Sequence, residues 1–287
     1  MIGLVRAAVR LLTDPVATGW KIHPSDAVVR LLGAYCRPVQ PTNSAAFGVV
    51  VLAAGFGTRL GPLTEHSPKS LLSLGRRRVI DHIVESIQHA LSDPPIVVVT
   101  NNQHPKAWQD WHASWPQITL TSNGVTTVDD RLGAVADLAR GIALLPLVDH
   151  IVVLAGDNVI TEPLDLHLDA AAAAAAPVVL CRDLGDNVPP GRFGEVTIDS
   201  RNRIVRFREK PAEPTSPLVA TCTYVLPGAE TTEWLRAYLS EGDADSPGDF
   251  VAWLAARTEV IARTLRGRYF DVGNHETLAE ARRHFAN

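Results

Sequence analysis

A chain of 287 residues with 46% hydrophobic residues, 20% charged residues and a formal net charge of −4 is long enough to bury one large core or two modest ones. The mildly acidic balance offers no basic block to track a nucleic-acid backbone, and no apolar run is long enough for a transmembrane helix. Phosphate chemistry, if present, is therefore focused in a pocket, and neither nucleic acid nor membrane is an expected partner.

In chain order, Leu4, Val5, Ala8, Val9, Leu11 and Leu12 suit one face of a helix, and a second short helix is expected from about Asp26 to Tyr35. Arg6 and Arg10 interrupt what would be the uncharged centre of a signal peptide, so a cytoplasmic protein is expected. Residues 1–45 read as a helical N-terminal extension that packs on the core or on a second copy of the chain, giving a homo-oligomer; a membrane-surface helix is the competing reading. Cys36, Cys181 and Cys222 are odd in number and far apart, which suits neither a disulfide framework nor a zinc site.

From Phe47 onward, apolar strand-like runs at Val49–Ala53, Ile96–Thr100, Ile151–Leu154 and Val178–Leu180 alternate with helical patterns at Val79–Leu91 and Gly133–Leu145. Ala170 to Leu180 reads as a helix running into a buried strand, and Asp199–Asn202 as the turn of a hairpin. The alternation predicts a three-layer α/β/α sandwich on a Rossmann-like, mixed and mostly parallel sheet. Ligands on such sheets bind beyond the carboxyl ends of the strands.

One such end is chemically distinctive. The run VVVLAAGFGTRLGPLTEHSPKSLLSLG, Val49 to Gly75, joins a strand to a turn in which Gly55 and Gly57 let backbone N–H groups approach phosphate oxygens. Arg59 adds a planar fork and Lys69 a mobile point charge. The dinucleotide fingerprint fails because Leu60 stands where its third glycine belongs, and the Walker pattern fails because Pro68 precedes Lys69. Read alone, the glycine pair is also compatible with an ordinary strand-to-helix turn.

The segment LAAGFGTRLGPLTEHSPKSLL resembles the signature of the sugar-1-phosphate nucleotidylyltransferases, and within that family the glucose-1-phosphate thymidylyltransferases. The resemblance runs from about Gly48 to Ala281 and makes residues 46–287 the nucleotidylyltransferase domain. It implies nucleotide binding by Leu52, Ala53, Ala54, Gly55, Gly57, Thr58 and Arg59, and catalytic roles for Arg59, Lys69, Asp157 and Lys210. It further implies that Asp157, in Gly156-Asp157-Asn158, and Asp271, in RYFDVGNHETLAEA, hold magnesium (Mg2+). That hard cation suits one or two carboxylates beside phosphate oxygens. A solvated turn is the competing reading of Asp271, with Asn274 capping the next helix.

The same resemblance gives Glu209-Lys210-Pro211 to the acceptor, with Glu209 accepting sugar hydroxyls and Lys210 meeting the sugar phosphate; a surface ion pair is the bland reading. Asn158, Gly194 and Thr223 join them as expected substrate contacts. Cys222 stands where the family usually has glycine, so a side chain narrows the sugar wall there. The stretch Asp129-Asp130-Arg131-Leu132-Gly133 departs from the common pattern and resembles a less-characterised branch. Asp130 and Arg131 read the base edge or close a salt bridge, with helix capping by Asp129 or Asp130 as the alternative.

The implied reaction couples a nucleoside triphosphate to a sugar-1-phosphate and releases pyrophosphate. Thymidylyl transfer to glucose-1-phosphate is the leading pairing on family frequency. A cyclitol phosphate, phosphocholine or phosphonate acceptor is an alternative, and a non-catalytic nucleotide or sugar-nucleotide sensor is another. With 16 residues after Asp271, no hexapeptide-repeat β-helix is expected there.

Overall fold

The computed structural model describes residues 45–241 and 244–286. The expected N-terminal helices and Cys36 lie outside the described residues.

Val49, Val50 and Val51 are all buried in the first strand, but they face opposite ways: Val49 and Val51 enter one core and Val50 the other. A strand buried on both faces needs cover on both, and this dictates three layers. Four parallel strands form the centre, in spatial order β6 (His150–Ala155), β1 (Phe47–Ala53), β4 (Ile96–Thr100) and β5 (Thr119–Ser122). On one face, α1 (Val79–Ala90), α2 (Pro105–His112), α4 (Asp165–Ala174) and α7 (His275–His284) contribute Ile83, Trp108, Leu168 and Leu278 to the core. On the other, α3 (Ala134–Ile142), α5 (Gly228–Glu241) and α6 (Pro247–Ala255) contribute Leu138, Tyr238 and Phe250.

Beyond β6 the sheet becomes mixed. The ten-residue β11 (Leu218–Pro227) runs antiparallel to β6 and to β8 (Val178–Asp183), which in turn pairs in parallel with β12 (Ile261–Thr264). The expected hairpin is present as β9 (Glu195–Ile198) and β10 (Ile204–Arg208), with Asn202 at positive φ in its turn. Two small sheets flank the main one: β2 (Ser73–Leu74) with β3 (Arg77–Arg78), and β7 (Asn158–Ile160) with β13 (Tyr269–Asp271).

Among the described residues the expected strands and helices match to within a few residues, with one correction at the start of α3. Neither Asp129 nor Asp130 caps that helix. Its N-cap is Gly133 at φ 91°, with no side-chain cap, because the loop before it turns through a backbone shape only glycine adopts cheaply. Asn274 does cap α7, accepting from the Thr277 N–H at 3.0 Å.

The hairpin is fastened from inside. Glu195, with a side chain 1% exposed, accepts from Arg208 at 2.6 Å, from the Ser216 N–H at 3.1 Å and from the Thr215 N–H. Burial alone would raise its pKa, yet the Thr215 N–H and Arg208 hold it below the usual carboxylate range. A depressed folded value means that its stabilisation is present above the unfolded pKa and is lost as pH falls through the folded one. Glu195→Gln leaves Arg208 half-buried without its counter-charge and is expected to destabilise the fold by about 3–5 kcal/mol at neutral pH. Urea midpoints of the two proteins should stay apart at neutral pH and converge as the pH is lowered below about 4 and the carboxyl protonates; a gap that keeps its full size at pH values well below that would contradict this role.

Candidate active site

The four parallel strands end at a common rim, and their next residues meet there. After β1 come Ala54 and the Gly55–Gly57 turn; after β4 comes Asn101, whose Nδ2 donates to the Ala54 carbonyl at 2.9 Å. After β5 comes Asn123, and after β6 come Gly156 and Asp157. Gly57 sits in the left-handed region at φ 66°, and a Cβ there would meet Thr64 Cγ2 at 2.9 Å. A side chain at Gly57 is thus strained twice over.

Lys69 and Asp157 form an ion pair, the lysine arriving from a short 3-10 turn that begins after Pro68. The backbone carbonyl of Asp157 accepts from the Val272 N–H at 2.9 Å, and Asn158 pairs with Asp271 in the β7–β13 ladder. Two carboxylates 114 positions apart are thereby set side by side. Asp271 pairs with Arg192 at 3.0 Å, and burial together with the neighbouring Asp157 charge pushes its carboxyl pKa up. A Cβ on Gly273 would lie 2.7 Å from Asp271 Oδ1 and 2.9 Å from Arg59 Nη2, so the Arg59 guanidinium reaches the same spot.

These groups open onto a cavity of about 190 Å³ whose lining includes Arg59, Asp157, Asn158, Arg192, Gly194, Glu209, Lys210, Cys222 and Asp271. With Lys69 behind it, four cations face three carboxylates, an excess of positive charge suited to an anionic ligand. Glu209 pairs with Lys210 at 3.1 Å, and its carboxylate lies in a notch between two glycines. A Cβ on Gly248 would fall 1.8 Å from Glu209 Oε2, and one on Gly194 would fall 3.1 Å from it. Tyr224 and Tyr269 line the same cavity, where burial raises their hydroxyl pKa values and keeps them neutral donors.

A second cavity of about 210 Å³ lies against the glycine turn and is lined by Ala54, Gly55, Gly57, Thr58, Asn123, Gly133 and Asp137, among others. Asn123 Nδ2 donates to Asp137 at 2.9 Å, and the Val125 N–H donates to Asn123 Oδ1 at 3.0 Å, so the amide is held in one orientation. Burial pushes the Asp137 carboxyl pKa up, opposed by the Asn123 hydrogen bond and the charge of Arg140. Arg131 lines this cavity and lies 3.7 Å from Asp245.

Among the expected site residues, Arg59, Asp157, Asn158, Gly194, Glu209, Lys210 and Asp271 converge on the first cavity, and Ala54, Gly55, Gly57 and Thr58 on the second. Leu52 and Ala53 lie in β1 behind the turn, where the Leu52 carbonyl accepts from the Gly156 N–H at 2.8 Å. Two residues stand apart. Asp130 is exposed, accepts from Thr127 at 2.6 Å and lines neither cavity. Thr223 is buried inside β11, its hydroxyl unpartnered among the described residues. Arg192 and Asp137 reach the cavities without any motif of their own, and Gly248 does so from SPGDFVAWLA, a stretch that resembles the same less-characterised branch as Asp129–Gly133 but to which no site residue was assigned. The only signals were an arginine before an aromatic-glycine pair, an acid one turn into a helix, and a glycine after the proline that opens α6.

Magnesium fits the Asp157–Asp271 pair on chemical grounds. Both donors are oxygen, the two negative charges are crowded and partly desolvated, and each is held by a cation in the protein alone. Among the described residues, no group of three or more His, Cys, Asp or Glu is arranged for a metal. A cation here would therefore take most of its ligands from water and phosphate, as magnesium does. No described helix is long and apolar enough to cross a membrane.

Comparison with known proteins places the chain in a family. The Nucleotidyl transferase family model matches residues 48–287. The bifunctional protein GlmU of Methanocaldococcus jannaschii is 25% identical over 239 residues, covering 82% of this chain and 53% of its own length. A glucose-1-phosphate adenylyltransferase of Thermosipho africanus is 27% identical over 248 residues, covering 78% of this chain and 58% of its own. The chain thus spans little more than half the length of these curated relatives. Among solved structures, one assigned as a glucose-1-phosphate thymidylyltransferase of Bacillus anthracis, in complex with sucrose, superposes with a TM-score of 0.72 at 24% identity, over 84% of this chain and 96% of that one. A UDP-glucose pyrophosphorylase complexed with UDP-glucose superposes with a TM-score of 0.69 at 19% identity, over 84% and 98%. These superpositions show a shared fold. With a family model matched across nearly all of the described residues, the chain belongs to the nucleotidyl transferase family.

Proposed function

We propose that this chain joins a nucleoside triphosphate to a sugar-1-phosphate, giving a nucleotide-activated sugar and pyrophosphate. The observation that carries the reading is the convergence of Arg59, Lys69, Asp157, Asp271 and Lys210 at one rim, between a cavity on the glycine turn and a cavity holding Glu209. One cavity suits the nucleotide and the other the phosphorylated polyol, with the charged groups where the two would react.

In this reading the acceptor phosphate, already an anion, attacks the α-phosphorus in line. A new phosphorus–oxygen bond forms, the α–β bridging bond breaks, and pyrophosphate leaves with that electron pair. No general base is required, so positioning and charge neutralisation supply the catalysis. The N–H groups of the Gly55–Gly57 turn hold phosphate oxygens, and Arg59 stabilises the charge that develops on the departing group. Lys210 steadies the acceptor phosphate, while Glu209 accepts polyol hydroxyls. Lys69 and Arg192, paired with Asp157 and Asp271, place two further cations where phosphate oxygens would lie. Magnesium held by Asp157 and Asp271 would supply Lewis-acid neutralisation of the reacting phosphates.

Transfer from dTTP to glucose-1-phosphate is the leading pairing, in line with the name of the Bacillus anthracis neighbour. The names of the adenylyltransferase and pyrophosphorylase relatives make ATP and UTP the competing donors. Asn123 and Asp137, not Asp130, line the cavity on the glycine turn, and we assign base contact to that pair of side chains. For residues 1–45 the proposal stays with the sequence reading, a segment that packs either on the core or on a second copy of the chain.

Pyrophosphate release with magnesium, for five nucleoside triphosphates against a panel of sugar and cyclitol 1-phosphates, phosphocholine and a phosphonate, tests the proposal. Release with one donor–acceptor pairing is the expected result. Nucleotide binding with silence across the panel would favour a sensor instead. With the active pair, Arg59→Ala should lower kcat/KM by about 100-fold or more, equivalent to about 2.7 kcal/mol; activity near that of the unmodified chain would refute its role. Gly248→Ala drives a methyl into Glu209 and should raise the acceptor KM by about tenfold, the worth of one hydrogen bond to a charged group, with the donor KM unchanged. An equal rise for both substrates would place Glu209 elsewhere in the reaction.

A further inference from the structure

The register of β11 slips between Ala220 and Thr223, so that Thr221 and Cys222 form a bulge opposite β8. Cys222 takes up the slip at φ 53°, in the left-handed region that favours glycine. Five described non-glycine residues have positive φ, and two of them, Lys210 at 42° and Cys222, line the same cavity. Such strain persists only where the surroundings over-determine it, and it gathers at ligand sites. Here the surroundings are explicit. Thr221 Oγ1 donates to the Leu180 carbonyl at 2.8 Å, and the Thr221 carbonyl accepts from Asn158 Nδ2 at 2.8 Å.

A bulge re-aims a side chain, and this one turns the thiol into the cavity. Tyr224 lines the cavity beside the sulfur, and the charges of Asp157, Glu209 and Lys210 all act on it. Burial pushes the thiol pKa up to about 12, so it stays protonated, a neutral wall and neither nucleophile nor thiolate ligand. Lys210 meets the acceptor phosphate and Glu209 its hydroxyls in the reading above. In that reading Cys222, which lines the cavity together with both, stands against the part of the acceptor between its phosphate and the hydroxyls that Glu209 holds.

We propose that Cys222 is a specificity-determining residue that restricts the acceptor to a polyol phosphate bearing hydroxyl, and not a bulkier group such as acetamido, on the carbon adjacent to the phosphate-bearing carbon. The inference rests on the acceptor being a phosphorylated polyol, as proposed above.

The test compares glucose-1-phosphate with N-acetylglucosamine-1-phosphate, using magnesium and each donor in turn, for the unmodified chain, Cys222→Gly and Cys222→Ala. The unmodified chain is expected to favour glucose-1-phosphate. Cys222→Gly, which removes both the wall and the strain, should narrow the ratio of the two kcat/KM values by about tenfold or more, within the range a hydrophobic pocket gains from a small steric difference. Cys222→Ala should move the ratio the same way by less, and it secures the result should the glycine variant fail to fold. A ratio unchanged in both variants, or an initial preference for the acetamido sugar, overturns this inference and leaves the parent reading intact. Silence of the unmodified chain with both acceptors and across the wider panel overturns the parent reading and this one with it.

Discussion

Two carboxylates held side by side at the edge of a buried sheet organise everything else in this site. Asp157 and Asp271 come from distant parts of the chain, and the hydrogen bond from the Val272 N–H to the Asp157 carbonyl brings them together. Partly buried like charges repel and lose hydration, a cost of several kcal/mol per ion unless compensated. Lys69 and Arg192 compensate here, one on each carboxylate. The protein thereby keeps a doubly negative site and two cations in register before any ligand arrives.

That arrangement follows from the topology. Parallel strands put the carboxyl ends of β1, β4, β5 and β6 at one rim, and β13 reaches the rim only through its short ladder with β7. The mixed half of the sheet then supplies the wall proposed for the acceptor, with β11 bulged at Cys222 and the β9–β10 hairpin delivering Glu209 and Lys210. Glu195 fastens that hairpin from within the core, so a buried ion pair between the neighbours of Gly194 and Glu209 sets where those cavity-lining residues stand. Fold and site are coupled through a few long-range hydrogen bonds.

Much of this was legible in the sequence, for physical reasons. The unbroken apolar runs of β1 and β4 state that both faces of these strands are buried, and the Gly55–Lys69 run states a glycine turn followed by two cations, because turn chemistry and charge are local properties. Arg192 was not legible, since its value depends on Asp271, 79 positions away. Nor was the notch for Glu209, made by glycines on two separate elements. Asp130 looked like a base reader or a cap and is neither in placement, for Gly133 starts α3 by backbone shape. Cys222 stood out as a departure from a familiar pattern, but only the slipped register of β11 shows why glycine suits that position.

A crystal structure with magnesium and an α,β-non-hydrolysable nucleoside triphosphate tests the central claim most directly. The account predicts the triphosphate across the Gly55–Gly57 turn, a metal touching both Asp157 and Asp271, and Lys69 and Arg192 turned from carboxylate to phosphate. A nucleotide bound elsewhere, or one bound at the turn with both ion pairs intact and no metal between the two aspartates, would contradict it.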